Sequence, residues 1–174
     1  MIFHRVLKAA LICVLSIDIR SVANASNFAD EKTLCTADED VYFSCELDGV
    51  YKIASVCAAK NASPDVGYVQ YRYGIQSKLD FKYPATLIPP RDIMSIIDIS
   101  RSALGLGTHL KFKSGEYDYV ISNSLIPGEV YVAKKKKIVF DRICGGADYI
   151  PFSEKARNGV PWGSIEKIDD LGNY

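Results

Sequence analysis

The sequence predicts an all-β fold: an antiparallel meander closing into a small barrel or sandwich, stapled by disulfides and followed by an irregular C-terminal tail. Runs with aromatic and β-branched residues at alternate positions recur about every ten residues, bounded by Gly, Pro or Asp-Gly. That is the rhythm of half-buried strands joined by tight turns. The 174 residues are 48% apolar, enough for one ordinary core. An even number of cysteines remains once the N-terminal segment is set aside.

That segment has the parts of a secretory signal. Arg5 and Lys8 precede the apolar run AALICVLSI (9–17), and Ala23-Asn24-Ala25 is the small-x-small pattern cut by signal peptidase. A membrane span needs roughly 20 apolar residues, and Asp18 and Arg20 close this run well short of that. Cys13 lies inside the run behind bulky Ile12, unlike a lipoprotein cysteine. Cleavage near Ala25 predicts a periplasmic or secreted protein with no stable membrane insertion. The mature chain has two more acidic than basic side chains, so it lacks the basic field of a nucleic-acid binder, and no nucleic-acid partner is expected.

The mature chain divides into a polar, acidic lead-in (26–40), a β domain (41–150) and a tail packing on it (151–174), with one short helix expected near 164–170. Within the domain, VYFSCEL (41–47) and VYKIASVC (50–57) flank Asp48-Gly49, the strongest short hairpin signal in the chain. GYVQYRYG (67–74) and KLDFKYP (78–84) form the next pair, then THLKFK (108–113) and YDYVIS (117–122) around Ser114-Gly115. EVYVA (129–133) and IVFDRIC (138–144) flank Lys134–Lys137, read as a solvated turn tip. DIMSIIDISRSALG (92–105) fits strand and helix about equally, and its isoleucines favour strand.

Export removes Cys13 and leaves Cys35, Cys45, Cys57 and Cys144, which read as two disulfides. Zinc sites use closer Cys or His pairs than gaps of 10, 12 and 87 residues provide. With Asp48-Gly49 as a two-residue turn, Cys45 faces Lys52 and Cys57 falls near Asp40 on the other face. At roughly 3.3 Å per residue the two cysteines are then about 16 Å apart, beyond the roughly 7 Å reach of a bridge. Two pairings remain: Cys35–Cys57 with Cys45–Cys144, or Cys35–Cys45 with Cys57–Cys144. The first is favoured because Cys35 lies just upstream of the position opposite Cys57, and it sets the last strand beside the first.

Groups for catalysis are few. His109, the one mature histidine, sits in a strand pattern and reads as a partly exposed strand residue. No Gly-x-Ser-x-Gly elbow, His-Glu-x-x-His or P-loop is present. Glu116 and Asp118 share a strand face and read as solvated rather than as a glycosidase pair. No enzyme, metal or cofactor is expected. Eleven tyrosines are many for this size, and several fall on hairpins. Tyrosine and arginine are the usual hot-spot residues, so Tyr71, Arg72, Tyr73, Ser114, Gly115, Tyr117 and Tyr119 are the candidate partner-binding set. Alternation places Tyr71 and Tyr73 on one face, which a core role also explains.

Through FSCELDGVYKIASVC (43–57), GYVQYRYG (67–74), THLKFKSGEYDYVI (108–121) and KKKIVFDRIC (135–144), the chain resembles a widespread group of small exported bacterial proteins. The resemblance implies a periplasmic address and one β-rich domain, and no activity. Ser114-Gly115-Glu116-Tyr117 is also similar to the Ser-Gly-x-x-Tyr loop of periplasmic C-type lysozyme inhibitors, one residue short and without that family's downstream tryptophan and lysine. The expected function is a non-enzymatic periplasmic binding protein, an inhibitor or immunity protein that neutralises a cell-wall hydrolase or a delivered toxin. A small-ligand or lipid carrier, or an envelope-glycan enzyme working through Glu116, are the alternatives.

Overall fold

The computed structural model describes residues 33–100, 106–124 and 127–172. The signal segment, Cys13, residues 26–32 of the lead-in and residues 101–105 lie outside the described residues. Nine strands form one antiparallel sheet: β1 (Glu39–Leu47), β2 (Lys52–Ala59), β3 (Val69–Ile75), β4 (Lys78–Tyr83), β5 (Met94–Asp98), β6 (Thr108–Ser114), β7 (Tyr117–Ser122), β8 (Glu129–Lys134) and β9 (Lys137–Ile150). Their order is β4-β3-β2-β1-β9-β8-β7-β6-β5. Two meanders, β1–β4 and β5–β9, thus meet at β1 and β9. Long β9 pairs with β8 along its first half and with β1 along its second, with Ile143 opposite Glu129 and Cys144 opposite Leu47.

The first and last strands adjoin, yet the sheet does not close into a barrel. β1 and β9 lie in its middle, which leaves β4 and β5 as the edges. The sheet instead folds over, so that β3 and β4 face β6 and β7 across an aromatic layer containing Tyr71, Phe112 and Tyr119. Register shifts leave extra residues in β1 at Tyr42, in β4 at Asp80 and in β9 at Val139, irregularities that bend and twist strands.

The disulfides are Cys35–Cys57 and Cys45–Cys144, with Cα separations of 5.3 and 5.5 Å. The first turn differs from the two-residue expectation. Leu47 pairs with Lys52, leaving a four-residue loop in which Gly49 and Tyr51 both adopt positive φ, 74° and 51°. Cys45 therefore faces Ala54, and Cys57 faces Val41. The two cysteines still lie on opposite faces: Cys45 lies in the core with Val56, while Cys57 belongs with Ser55 on the outer face.

β9 runs six residues past its expected end at Cys144. The isoleucine segment is a strand over Met94–Asp98. In the tail, α1 (Glu154–Gly159) precedes the expected helical site and is capped by Ser153, which accepts from the Ala156 amide. A Cβ on Gly159 would meet the Tyr42 hydroxyl at 2.1 Å, so glycine is what lets α1 lie against β1. A 3₁₀ turn at Lys167–Asp170 takes the place of the expected helix. Among the described residues no helix is long and apolar enough to cross a membrane.

The tail does two jobs. The Ile96 amide donates to the Pro161 carbonyl and the Gly163 amide donates to the Ile96 carbonyl, 2.9 Å each, which caps the open edge of β5 at Ile96. Further on, Asp169 docks on the outer face of β6, where its carboxylate accepts from His109 Nδ1 at 2.8 Å, Lys111 Nζ at 2.7 Å and the Glu166 amide at 2.7 Å. His109, expected to be partly exposed, is fully buried because the tail covers it. Burial pushes the Asp169 carboxyl up, but the bonds from His109, Lys111 and Glu166 outweigh burial and hold it below the ordinary carboxylate range.

A carboxyl whose folded pKa is depressed stabilises fully above its unfolded value and loses that contribution as pH falls through the folded one. Asp169→Asn should therefore cost about 3–5 kcal/mol in urea denaturation at neutral pH. It should also flatten the acid limb of stability below about pH 4. An unchanged acid limb in the variant would remove Asp169 as the latch.

Candidate functional site

The aromatic layer is a wedge. Tyr83 stacks on Phe112 at 4.5 Å, Phe81 on Tyr119 at 5.1 Å, and Tyr73 meets Phe140 edge-on at 6.0 Å. At its wide end the rings enclose a cleft of about 310 Å³ lined by Tyr71, Tyr73, Asp80, Phe81, Tyr119, Val132 and Phe140. Strand register builds both walls. Tyr71 and Tyr73 share one face of β3 by alternation, and Phe81 lies opposite Tyr73 on β4. Facing them, Tyr119 pairs with Val132, and Val132 with Phe140, across β7, β8 and β9.

The cleft opens where the hairpin turns gather. Pairing places the turns 48–51, 76–77, 115–116 and 135–136 at the same end of the sheet. Burial pushes the hydroxyls of Tyr71, Tyr73 and Tyr119 up, so all three stay neutral hydrogen-bonding groups at neutral pH. At the rim, Lys52 bonds Asp80 at 2.8 Å and holds its carboxyl below the usual range. The Arg142 guanidinium lies 5.5 Å from the Phe140 ring centre.

The structure brings most of the candidate set to this end and separates one member from it. Tyr71, 2% exposed, forms the floor of the cleft; Tyr73 and Tyr119 are half-buried walls. Ser114 and Gly115 lead into the β6–β7 turn, and Tyr117 beyond it is 38% exposed with Lys134 Nζ 5.1 Å from its ring centre. Arg72 points the other way and is 8% exposed. Its guanidinium forks onto Glu39 at 2.7 and 2.6 Å and donates to the Leu34 carbonyl at 2.9 Å and to Gln70 at 2.8 Å. Arg72 therefore anchors the lead-in, with its guanidinium engaged on Glu39, Leu34 and Gln70 rather than turned to the cleft. Burial pushes the Glu39 carboxyl up, and the bonds from Arg72, the Thr36 amide and Tyr68 overcome that and hold it low.

Other candidate chemistry is accounted for locally. Cys35, Glu39 and Cys57 lie close enough to suggest a metal site, but the sulfurs are bonded to each other and Arg72 takes the carboxylate. Glu116 pairs with Lys134 at 3.0 Å, and Asp118 lies 3.6 Å from Lys113. Phe81, Val132 and Phe140 were not foreseen as site residues. Phe81 was within reach of hairpin register, because it lies opposite Tyr73. Comparison with protein-family models, curated proteins and solved structures finds no match.

Arg72→Met strands the buried Glu39 carboxylate and should lower stability by about 3–5 kcal/mol in urea denaturation. Pairing it with Glu39→Gln should recover part of that loss, because the second change removes the stranded charge. Additive losses would mean that the two side chains act separately.

Proposed function

We propose that the protein is a non-enzymatic binding protein of an oxidising compartment, periplasmic or extracellular, that inhibits or neutralises a protein partner by taking an apolar side chain into the aromatic cleft. The observation that carries this reading is the cleft itself, an opening walled by four half-buried rings at the turn-bearing end of a stapled sheet. Rings locked by stacking have little freedom to lose on binding, and central aromatic residues dominate most interfaces. Turns on a rigid scaffold are the usual place for recognition. The two disulfides suit an oxidising compartment. A binding role is further supported by the pairing of Glu116 with a lysine and by the burial of His109 under the tail. A cell-wall hydrolase or a delivered toxin is the partner class that accords with the similarity to lysozyme inhibitors.

The size of the cleft also favours a second reading, a small-ligand carrier, since about 310 Å³ falls at the lower end of the range for small-molecule sites.

The test uses the oxidised mature protein as bait in envelope extract. One stoichiometric partner should be retained, and its hydrolytic or toxic activity should fall on titration with the bait. Phe140→Ala should weaken capture about tenfold or more, as loss of a hot-spot ring does, while its Tm falls only modestly. An empty bait carrying a bound small molecule in native mass spectrometry would replace the inhibitor reading with the carrier. Turnover of envelope glycan by the protein alone would overturn both.

A further inference from the structure

The four-lysine run is a turn tip, as its position between two strands predicts, but a strained one. Lys135 and Lys136 occupy the two turn positions between Lys134 and Lys137, with φ of 52° and 64°. A type I′ turn needs left-handed backbone at both positions. Asn-Gly adopts it readily, whereas an ordinary side chain there costs roughly 1 kcal/mol or more per residue. The chain thus keeps a poor turn where a relaxed one was open to it, and what the strain preserves is two cations beside the mouth of the cleft.

Charge at this end of the molecule points the same way. Three of its carboxylates lie beside a lysine: Asp80 with Lys52, Glu116 with Lys134 and Asp118 with Lys113. That leaves Lys78, Lys135, Lys136, Lys137 and Arg142 exposed at this end, against Glu46, Asp48 and Asp141. Among the described residues none of Lys78, Lys135, Lys136 or Lys137 has an ion-pair partner. Five exposed cations against three carboxylates make this end basic, although Lys+Arg and Asp+Glu are equal at 21 each in the whole sequence.

We infer that this end receives an acidic segment of a protein partner bearing one aromatic residue, with the ring in the cleft and the flanking carboxylates on the lysine rim. The inference rests on the binding-protein reading of the cleft and specifies the chemistry of the partner. A phosphate site converges backbone amides and cations on one point. Here the cations are spread around a ring-sized apolar opening with Asp80 and Glu116 between them, an arrangement that matches several separated carboxylates. The basic rim also steers an acidic partner toward the cleft before contact.

Three short peptides provide the probes: tryptophan flanked by glutamates, the same peptide with alanine for tryptophan, and the same with lysines for glutamates. Binding is read by calorimetry and by amide shifts in the oxidised mature protein, alongside vesicles of phosphatidylglycerol. The glutamate–tryptophan peptide should shift Tyr73, Tyr119 and Lys135–Lys137. It should weaken about tenfold as salt rises, and bind about tenfold more tightly than either control. The variant Lys135→Asn/Lys136→Gly relaxes the turn while removing two charges, so it should bind several-fold more weakly yet unfold no more easily than wild type. Equal binding of the lysine peptide, indifference to the turn variant, or preference for the vesicles would overturn the inference. If the partner captured in the pull-down depends on Phe140 but neither competes with the acidic peptide nor responds to salt, the acidic-segment inference fails and the binding-protein reading stands. Capture that ignores Phe140 removes the cleft from both.

Discussion

A charged side chain placed on a dry sheet face must find its counter-charge beyond its own strand, and this constraint governs how the segments on either side of the sheet are held. The outer face of β3 carries Arg72 and that of β6 carries Lys111, each less than 10% exposed. Removing such a cation from water costs several kcal/mol unless a carboxylate meets it with good geometry. Glu39, where the lead-in enters β1, supplies one carboxylate, and Asp169 in the tail supplies the other. Both partners also accept backbone amides of their own segments, from Thr36 and Glu166. The same device therefore pins the segment before β1 and the segment after β9, one on each half of the folded sheet, and of the two pins the one at Glu39 is reinforced by a disulfide.

The aromatic wedge lies between those two halves, on the faces turned away from the two cations. Its narrow end closes on the Tyr83 and Phe112 stack, and its wide end remains open because Tyr73 and Phe140 meet edge to face. Edge-to-face and offset stacks are both favourable ring geometries, so the taper involves no sacrifice in ring packing. The cleft is a consequence of how two bent meanders diverge.

Much of the strand framework was legible because alternation and turn residues are local signals. Alternation also carried more information than the candidate binding set used: Arg72 lies between Tyr71 and Tyr73, so the period that groups the tyrosines sends the arginine to the opposite face. What escaped was governed by distant partners. Gly145 and Gly146 argue against a strand, and pairing with β1 overrides them in β9. The burial of His109 depends on Asp169, sixty residues away, for which no local pattern exists. The four-residue first loop turns on Tyr51 accepting a left-handed backbone, which a tyrosine does not advertise. The floor and two of the cleft's four ring walls came from the foreseen tyrosines, while its phenylalanines required the register of two hairpins at once.

The two sheet edges are treated unequally. β5 is capped at Ile96 by Pro161 and Gly163, whereas β4 has no strand on its outer side among the described residues, with Lys78, Asp80 and Lys82 along it. In the language of polymers, each molecule has a functionality of one for edge pairing. Two copies joined through β4 would present only the capped β5 at either end, which favours a pair over a growing fibre.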